Sequence, residues 1–262
     1  MLINLGGGVI GDMGGFCAAT FKRGIDFINI PTTLLAQVDA SVGGKLGIDF
    51  NHLKNHIGLF KVPKMVLIDA IFLNTLPKNQ LKSGYAEVIK HSLIRDADYW
   101  KTLTNHTFET QNWQAHIAHD VAIKSQVVTE DPHEQGLRKI LNFGHTIGHA
   151  VESYLFDNPN RMLLHGEAIA IGMICEAYLS KEKLGLSESH LKEIMRYILS
   201  VYGKVEIFEE DIVNMGKLAL QDKKNEGNII NCTLLTMTGK AKFDVPISLV
   251  EIESSLRYYQ QL

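Results

Sequence analysis

The residue types able to bind a metal or move a proton gather towards the middle of this 262-residue chain. In the segment FGHTIGHA, His145 and His149 stand four apart, which sets both imidazoles on one face of a helix. With 11 histidines in 262 residues, chance alone predicts roughly half an i,i+4 pair, so the spacing alone carries little. Convergence carries more. His165 opens the helical stretch HGEA, and Glu87 lies among small residues with Lys90 three positions later. One carboxylate and two imidazoles around an open position describe a catalytic divalent-metal site, zinc by preference, whereas a closed structural zinc site would draw on cysteines. The plainer reading makes them core histidines satisfied by hydrogen bonds. His52 and His56 share the spacing in an Asn- and Gly-rich segment and are read as surface residues.

A second chemistry needs phosphate. Gly6, Gly8 and Gly11 keep the G-x-G-x-x-G register between an apolar run and a helical one. There glycines let the backbone approach a pyrophosphate, and a helix N-terminus supplies N–H donors. The same pattern also makes tight turns that hold no ligand. A dinucleotide fold places an acid about 20 residues on to hold the ribose. Asp26 is the one candidate and fits poorly, so that contact is expected elsewhere. Cations accompany the glycines: Lys45 after Gly43 and Gly44, Lys54 beside Asn55, Lys90 on the face of Glu87, and Arg138 four residues before Asn142. Their setting points to an anionic substrate carrying phosphate or carboxylate. Lys61, Lys78, Lys181 and Lys183 are read as solvated surface charge.

The elements that would hold these groups follow from periodicity. Residues 1–5 form an apolar run, 13–22 reads as a helix, and further apolar runs at 27–30 and 65–68 complete the strand, turn, helix, strand order of a parallel sheet. Beyond Pro77 the period becomes helical, over 81–94, 113–128, 143–154 and 167–184. Segments 229–236 and 240–245 flank Thr238 and Gly239 as a hairpin, and Ser248 with Glu251 makes a capping box for a last helix. The expected organisation is an α/β domain over 1–76 and a mainly helical domain over 77–262. A formal charge of −3 gives no overall basic field for nucleic acid, and no run approaches the roughly 18 apolar residues of a membrane span. Small molecules are the expected partners. Cys17, Cys175 and Cys232 are far apart and in apolar contexts, as buried thiols of a reducing cytoplasm would be, and residues 1–5 show no signal-peptide pattern.

Taken in order, GGGVIGD, PTTLLAQVDASVGGK, LKN, GYAEVIKH, LNFGHTIGHAVE and HGEAIAIGM resemble the motifs of the 3-dehydroquinate synthases, within the sugar-phosphate cyclases. A weaker echo follows in QDKKNEG. The resemblance implies α/β plus all-α architecture: a partial Rossmann-like NAD-binding domain, then a helical metal-binding domain with a small β-hairpin. It implies Glu87, His145 and His165 as ligands of Zn2+ or Co2+, with His149 in the catalytic pocket rather than on the metal. Gly8, Val9, Ile10, Gly11, Asp12, Thr32, Thr33, Lys45, Lys54, Phe72, Leu73, Asn74 and Thr75 would line the NAD site. Asp39, Lys45, Asn55, Lys90, Lys124, Arg138, Asn142 and either Lys223 or Lys224 would hold a sugar-acid phosphate, with Arg23 reaching in from the second subunit of a homodimer. The implied reaction turns 3-deoxy-D-arabino-heptulosonate 7-phosphate into 3-dehydroquinate and phosphate in the shikimate pathway, regenerating NAD each turnover.

Departures from the pattern bear on packing and extent. Leu46 stands where the family usually has Thr, and His56 replaces an apolar residue. Family members carry further strands before the glycine turn, so the chain is expected to be N-terminally truncated and to grip the adenosine half of NAD weakly. Competing readings are a cyclase of sugar phosphates without the carboxylate, a metal-dependent alcohol or glycerol dehydrogenase, and a metal-binding remnant without turnover.

Overall fold

The computed structural model describes residues 1–50, 53–156, 158–220 and 230–262. In chain order its elements begin with β1 (Leu2–Gly6), α1 (Gly8–Thr20), β2 (Phe27–Pro31), β3 (Lys45–Phe50), β4 (Leu53–Phe60) and β5 (Met65–Val66). Then come α2 (Lys78–Arg95), α3 (Ala97–Thr104), α4 (Trp113–Glu130), α5 (His145–Phe156), α6 (His165–Leu184), α7 (Glu188–Tyr202) and α8 (Glu209–Leu220). Strands β6 (Ile230–Met237) and β7 (Lys240–Ile247) precede α9 (Leu249–Gln260).

Two compact units emerge, Met1–Val88 with Asn112–Pro132 and Ile89–Gln111 with His133–Leu262. The change of period near residue 76 marks where strands give way to helices, whereas the division falls inside α2 and gives α4 to the unit of the sheet. Packing explains this. Tyr85 meets Trp113 edge-on with ring centres 5.5 Å apart, and Lys124 on α4 reaches Asp39.

In the first unit β1, β2 and β5 form a parallel sheet in that order, with Leu2 opposite Phe27 and Ile28 opposite Met65. Side chains alternate across it. Phe27 joins Ala18 of α1 and Leu46 of β3 in a core against which Leu2 and Phe16 pack. Asn4 and Asn29, opposite each other, are buried and joined by a 2.9 Å hydrogen bond. The alternate positions remain wet: Ile3 and Leu5 are each 59% exposed and Met65 55%, although parallel sheets ordinarily bury both faces. The antiparallel pair β3–β4 goes beyond the periodicity reading, because Gly47 and Gly58, opposite each other, interrupt its alternation.

The second unit is built around α6, whose residues 168–177 are all buried. Such a helix has no solvated face and is apolar nearly all round. The expected hairpin is β6–β7, where Gly239 takes φ +82° and its N–H reaches the Leu93 carbonyl at 2.8 Å. The Ser248 and Glu251 capping box is formed, each side chain bonded to the other's backbone N–H. Burial pushes the Cys175 and Cys232 thiols up from their ordinary range. Cys17 is exposed, against expectation, because α1 turns it away from the sheet. No described helix is long and apolar enough to cross a membrane.

Candidate functional site

The glycine turn lies where the parallel strands end. β1 finishes at Gly6, Gly7 is extended, and α1 begins at Gly8 without any side-chain cap. A helix start of this kind turns backbone N–H groups and partial positive charge towards an anion. The adjoining strand ends alongside: the Thr32 N–H donates to the Gly6 carbonyl at 2.9 Å, and a methyl group on Gly7 would stand 3.1 Å from Thr33 Cγ2. Gly6, Gly7, Gly8, Gly11, Asp12 and Ala40 line a cleft there, outside the carboxyl ends of the strands, where such sheets bind ligands. Thr33 Oγ1 is occupied by the Ala36 N–H at 3.2 Å.

The three glycines differ in what they permit. The last one in such a motif ordinarily lets the helix approach the sheet. Here a Cβ on Gly11 would meet nothing nearer than Asn29 Nδ2 at 3.9 Å, whereas one on Gly14 would lie 2.0 Å from Asn4 Oδ1. Close packing of α1 on β1 therefore rests on Gly14. Asp26 stands immediately before β2, at the end of the sheet opposite the turn and beside Lys64, its carboxylate 3.8 Å from the ammonium. That placement accounts for its poor fit as a ribose partner.

Other expected positions in this unit are spread along the loops. Phe72, Leu73, Asn74 and Thr75 lie in a short 3-10 segment capped by Asp69, whose carboxylate accepts the Ile71 N–H at 2.9 Å. Gln37 ties that cap to the sheet, donating to the carbonyls of Pro31 and Asp69. Asp39 lies in a π-helical turn over Ala36–Ala40, and Lys124 Nζ approaches both its carboxylate at 2.7 Å and its carbonyl at 2.6 Å. Lys45 is exposed at the start of β3, and Arg23 is exposed with φ +66°. Val9 and Ile10 are exposed too. Lys54 and Asn55 fall on β4 with side chains outside the described part, and His52, Lys223 and Lys224 lie outside the described residues.

In the helical unit three histidines converge. The His145 ring lies 5.1 Å from that of His149 and 5.6 Å from that of His165, centre to centre, and His149 and His165 are 5.9 Å apart. His145 Nδ1 faces the Phe143 carbonyl at 3.0 Å, and His165 Nδ1 faces Glu152 Oε2 at 3.2 Å. Both partners are acceptors, so Nδ1 is the donating nitrogen in each contact, and in the neutral ring Nε2 is then the nitrogen suited to a metal. This is the usual arrangement behind metal-binding imidazoles. Ligand atoms of His149, Glu152 and His165 also lie within 4.8 Å of one another. Glu87 and Lys90, each 1% exposed on α2, are buried ionisable groups in their own units. Arg138 is buried at 2% exposure, and Asn142 donates to Glu134 Oε1 at 2.7 Å.

Family models for the N-terminal and C-terminal parts of 3-dehydroquinate synthase match residues 1–83 and 84–225. The chain belongs to the 3-dehydroquinate synthase family. It is 47% identical over 264 residues to the 3-dehydroquinate synthase of Parabacteroides distasonis, covering all of this chain and 74% of that one. The enzyme of that name from Clostridium beijerinckii is 44% identical over 247 residues, covering 92% of this chain and 69% of its own length. A 2-epi-5-epi-valiolone synthase of Streptomyces hygroscopicus, solved with NAD+ and Zn2+ bound, matches at 27% identity and TM-score 0.88, over 99% of this chain and 73% of that one. A 2-deoxy-scyllo-inosose synthase complexed with carbaglucose-6-phosphate, NAD+ and Co2+ matches at 26% identity and TM-score 0.84, over 98% and 72%. A probable glycerol dehydrogenase of Sinorhizobium meliloti, at 13% identity and TM-score 0.64 over 99% and 76%, shares the fold alone.

The 3-dehydroquinate synthase motifs thus supply the glycine turn and the three histidines, while their supporting partners escape the sequence reading. Glu152 sits inside the quoted HAVE run, but its role appears only where α5 and α6 come together. Glu134, which holds Asn142, takes φ +58°, and nothing in its neighbourhood of sequence marks it.

Proposed function

We propose that this family member is a 3-dehydroquinate synthase of the shikimate pathway, converting 3-deoxy-D-arabino-heptulosonate 7-phosphate into 3-dehydroquinate and phosphate with NAD and a divalent metal, Zn2+ or Co2+. The observation that carries the reading is the convergence of His145 and His165, each with Nδ1 against an acceptor, the arrangement that orients a metal-binding imidazole. A third ligand is assigned to Glu87, whose carboxylate with two imidazoles makes an open catalytic set. The NAD+ and Zn2+ or Co2+ of the two solved cyclases agree with it. When bound, the metal supplies Lewis acidity to a substrate oxygen.

The remaining roles belong to the chain. Residues 8–12 with Thr32, Thr33, Lys45, Lys54 and 72–75 bind NAD, its pyrophosphate at the start of α1. His149, beside the ligating pair but not assigned to the metal, handles a proton at the reacting carbon or oxygen. Lys90 and Arg138, buried cations, meet the carboxylate and phosphate of the substrate, where a guanidinium can make two parallel hydrogen bonds. Asp39 holds Lys124 in place for the same anion. Asn55, Asn142 and a lysine of the 223 and 224 pair add polar contacts, and the exposed Arg23 serves a second copy in a cytoplasmic homodimer.

Phosphate release from 3-deoxy-D-arabino-heptulosonate 7-phosphate with no net NADH is the expected result, and net consumption of NAD+ would overturn it. A second reading draws on the valiolone synthase likeness: a cyclase of a sugar phosphate that lacks the carboxylate. Faster phosphate release from sedoheptulose 7-phosphate would favour that reading instead.

A further inference from the structure

α5 begins without a cap of its own. The residue before it is Gly144, with φ +79°, and a Cβ there would lie 2.5 Å from Met173 Cγ, so no capping side chain fits. The cap comes from α6. Glu176, fully buried, accepts the Gly144 N–H on Oε2 at 2.5 Å and the Ile147 N–H on Oε1 at 3.1 Å, the N-cap and N3 donors that the two side chains of a capping box would satisfy. Burial pushes this carboxyl up to about 8, and with or without the proton it retains two oxygens able to accept N–H groups. Its place on α6 is fixed in turn by Ser180, whose hydroxyl donates to the Glu176 carbonyl at 2.6 Å and accepts the Leu235 N–H of β6 at 2.8 Å.

The bond to Gly144 has a particular reach. The Gly144 N–H and the Phe143 carbonyl belong to one rigid peptide plane. That carbonyl is the acceptor 3.0 Å from His145 Nδ1. Holding the N–H therefore aims the C=O, and the C=O selects the tautomer and the orientation of the ring. We infer that Glu176 is a positioning residue for His145, setting through the Phe143–Gly144 peptide which ring nitrogen is presented to the metal. The inference rests on the reading of His145 as a metal ligand.

Gln at this position removes one of the two acceptor oxygens and turns an N–H2 group towards a backbone N–H. The test compares wild type, Glu176→Gln and Ile198→Ala, a truncation of a buried side chain in α7 that lowers stability and removes no hydrogen bond at the start of α5. Zn2+ affinity is measured by chelator competition, the Co2+ absorption spectrum reports ligand geometry, and the thermal midpoint reports stability. Glu176→Gln is expected to weaken Zn2+ binding about 10- to 100-fold and to alter the Co2+ spectrum, whereas Ile198→Ala stays within roughly twofold of wild type. Equal affinity and spectrum in Glu176→Gln, or losses matching those of Ile198→Ala at equal midpoint, overturn the positioning role. A wild type that binds no Zn2+ overturns the metal reading and the inference with it. Should Glu176→Gln fail to fold, hydrogen exchange in metal-free wild type decides: Gly144 and Ile147 amides should be as protected as the α6 core, and exchange at the rate of exposed loops overturns the cap.

Discussion

At the scale of single residues, the contact between His165 Nδ1 and Glu152 does for one imidazole what a carbonyl does for another. Four substitutions separate ligands from their neighbours. Glu87→Ala, His145→Ala and His165→Ala should each abolish tight metal binding, while His149→Ala should keep the metal and lose activity; metal content after dialysis, read with turnover, checks all four. Stoichiometric metal in any of the first three would remove that residue from the ligand set. Arg138→Ala should weaken substrate binding far more than NAD binding in calorimetric titrations, and equal losses would make it structural. The histidines were legible because a four-residue spacing and the HGEA start survive in one dimension. Glu152 was not legible as a partner, since His165 is 13 residues away and only the packing of α5 on α6 joins them.

Between elements, the crossing of α5 and α6 is set by absent side chains. A Cβ on Gly172 would stand 2.0 Å from the Gly144 carbonyl oxygen and 2.7 Å from the Gly148 nitrogen, both backbone atoms with little room to yield. Gly172→Ala should therefore destabilise the helical unit by about 1–3 kcal/mol, measured by urea unfolding, and weaken metal binding by parting the two histidine-bearing helices. The segment leading to His165 is tied down by Arg161, which donates to both oxygens of Asp211 at 3.1 and 2.6 Å. Burial raises the Asp211 carboxyl, but Arg161 and the Phe208 N–H outweigh it and hold the group below its ordinary value. A depressed carboxylate contributes stability above its unfolded pKa and loses it as pH falls through the folded one, so the window lies at and below about pH 4. Asp211→Asn should cost about 1–3 kcal/mol near neutral pH, with the gap to wild type closing on titration below that window. A gap that stays constant would remove the ion pair as its cause. Long helices with capping signals could be read from the sequence, α9 with its box among them. The β3–β4 pair was hidden because glycines carry no facing preference, and the π-helical turn that holds Asp39 has no periodic signature at all.

For the chain as a whole, the order of strand, glycine turn, helix and strand was enough to identify a parallel sheet, because adjacent parallel strands need a long crossover, usually a helix, as α1 is between β1 and β2. The division into units was less accessible: the period changes near residue 76, whereas the pairing of Tyr85 with Trp113 and of Asp39 with Lys124 draws a distant helix back to the sheet. The wet face of that sheet, with Ile3, Leu5 and Met65 more than half exposed, bears on how the protein behaves in a tube. Apolar surface associates more strongly in the presence of excluded salts such as sulfate and less strongly on cooling. Light scattering from this chain should rise with ammonium sulfate at concentrations that leave its circular dichroism unchanged, and fall on chilling. Replacing Ile3 and Leu5 with Thr, a β-branched residue suited to a strand, should flatten both responses and yield a preparation better suited to crystallisation trials.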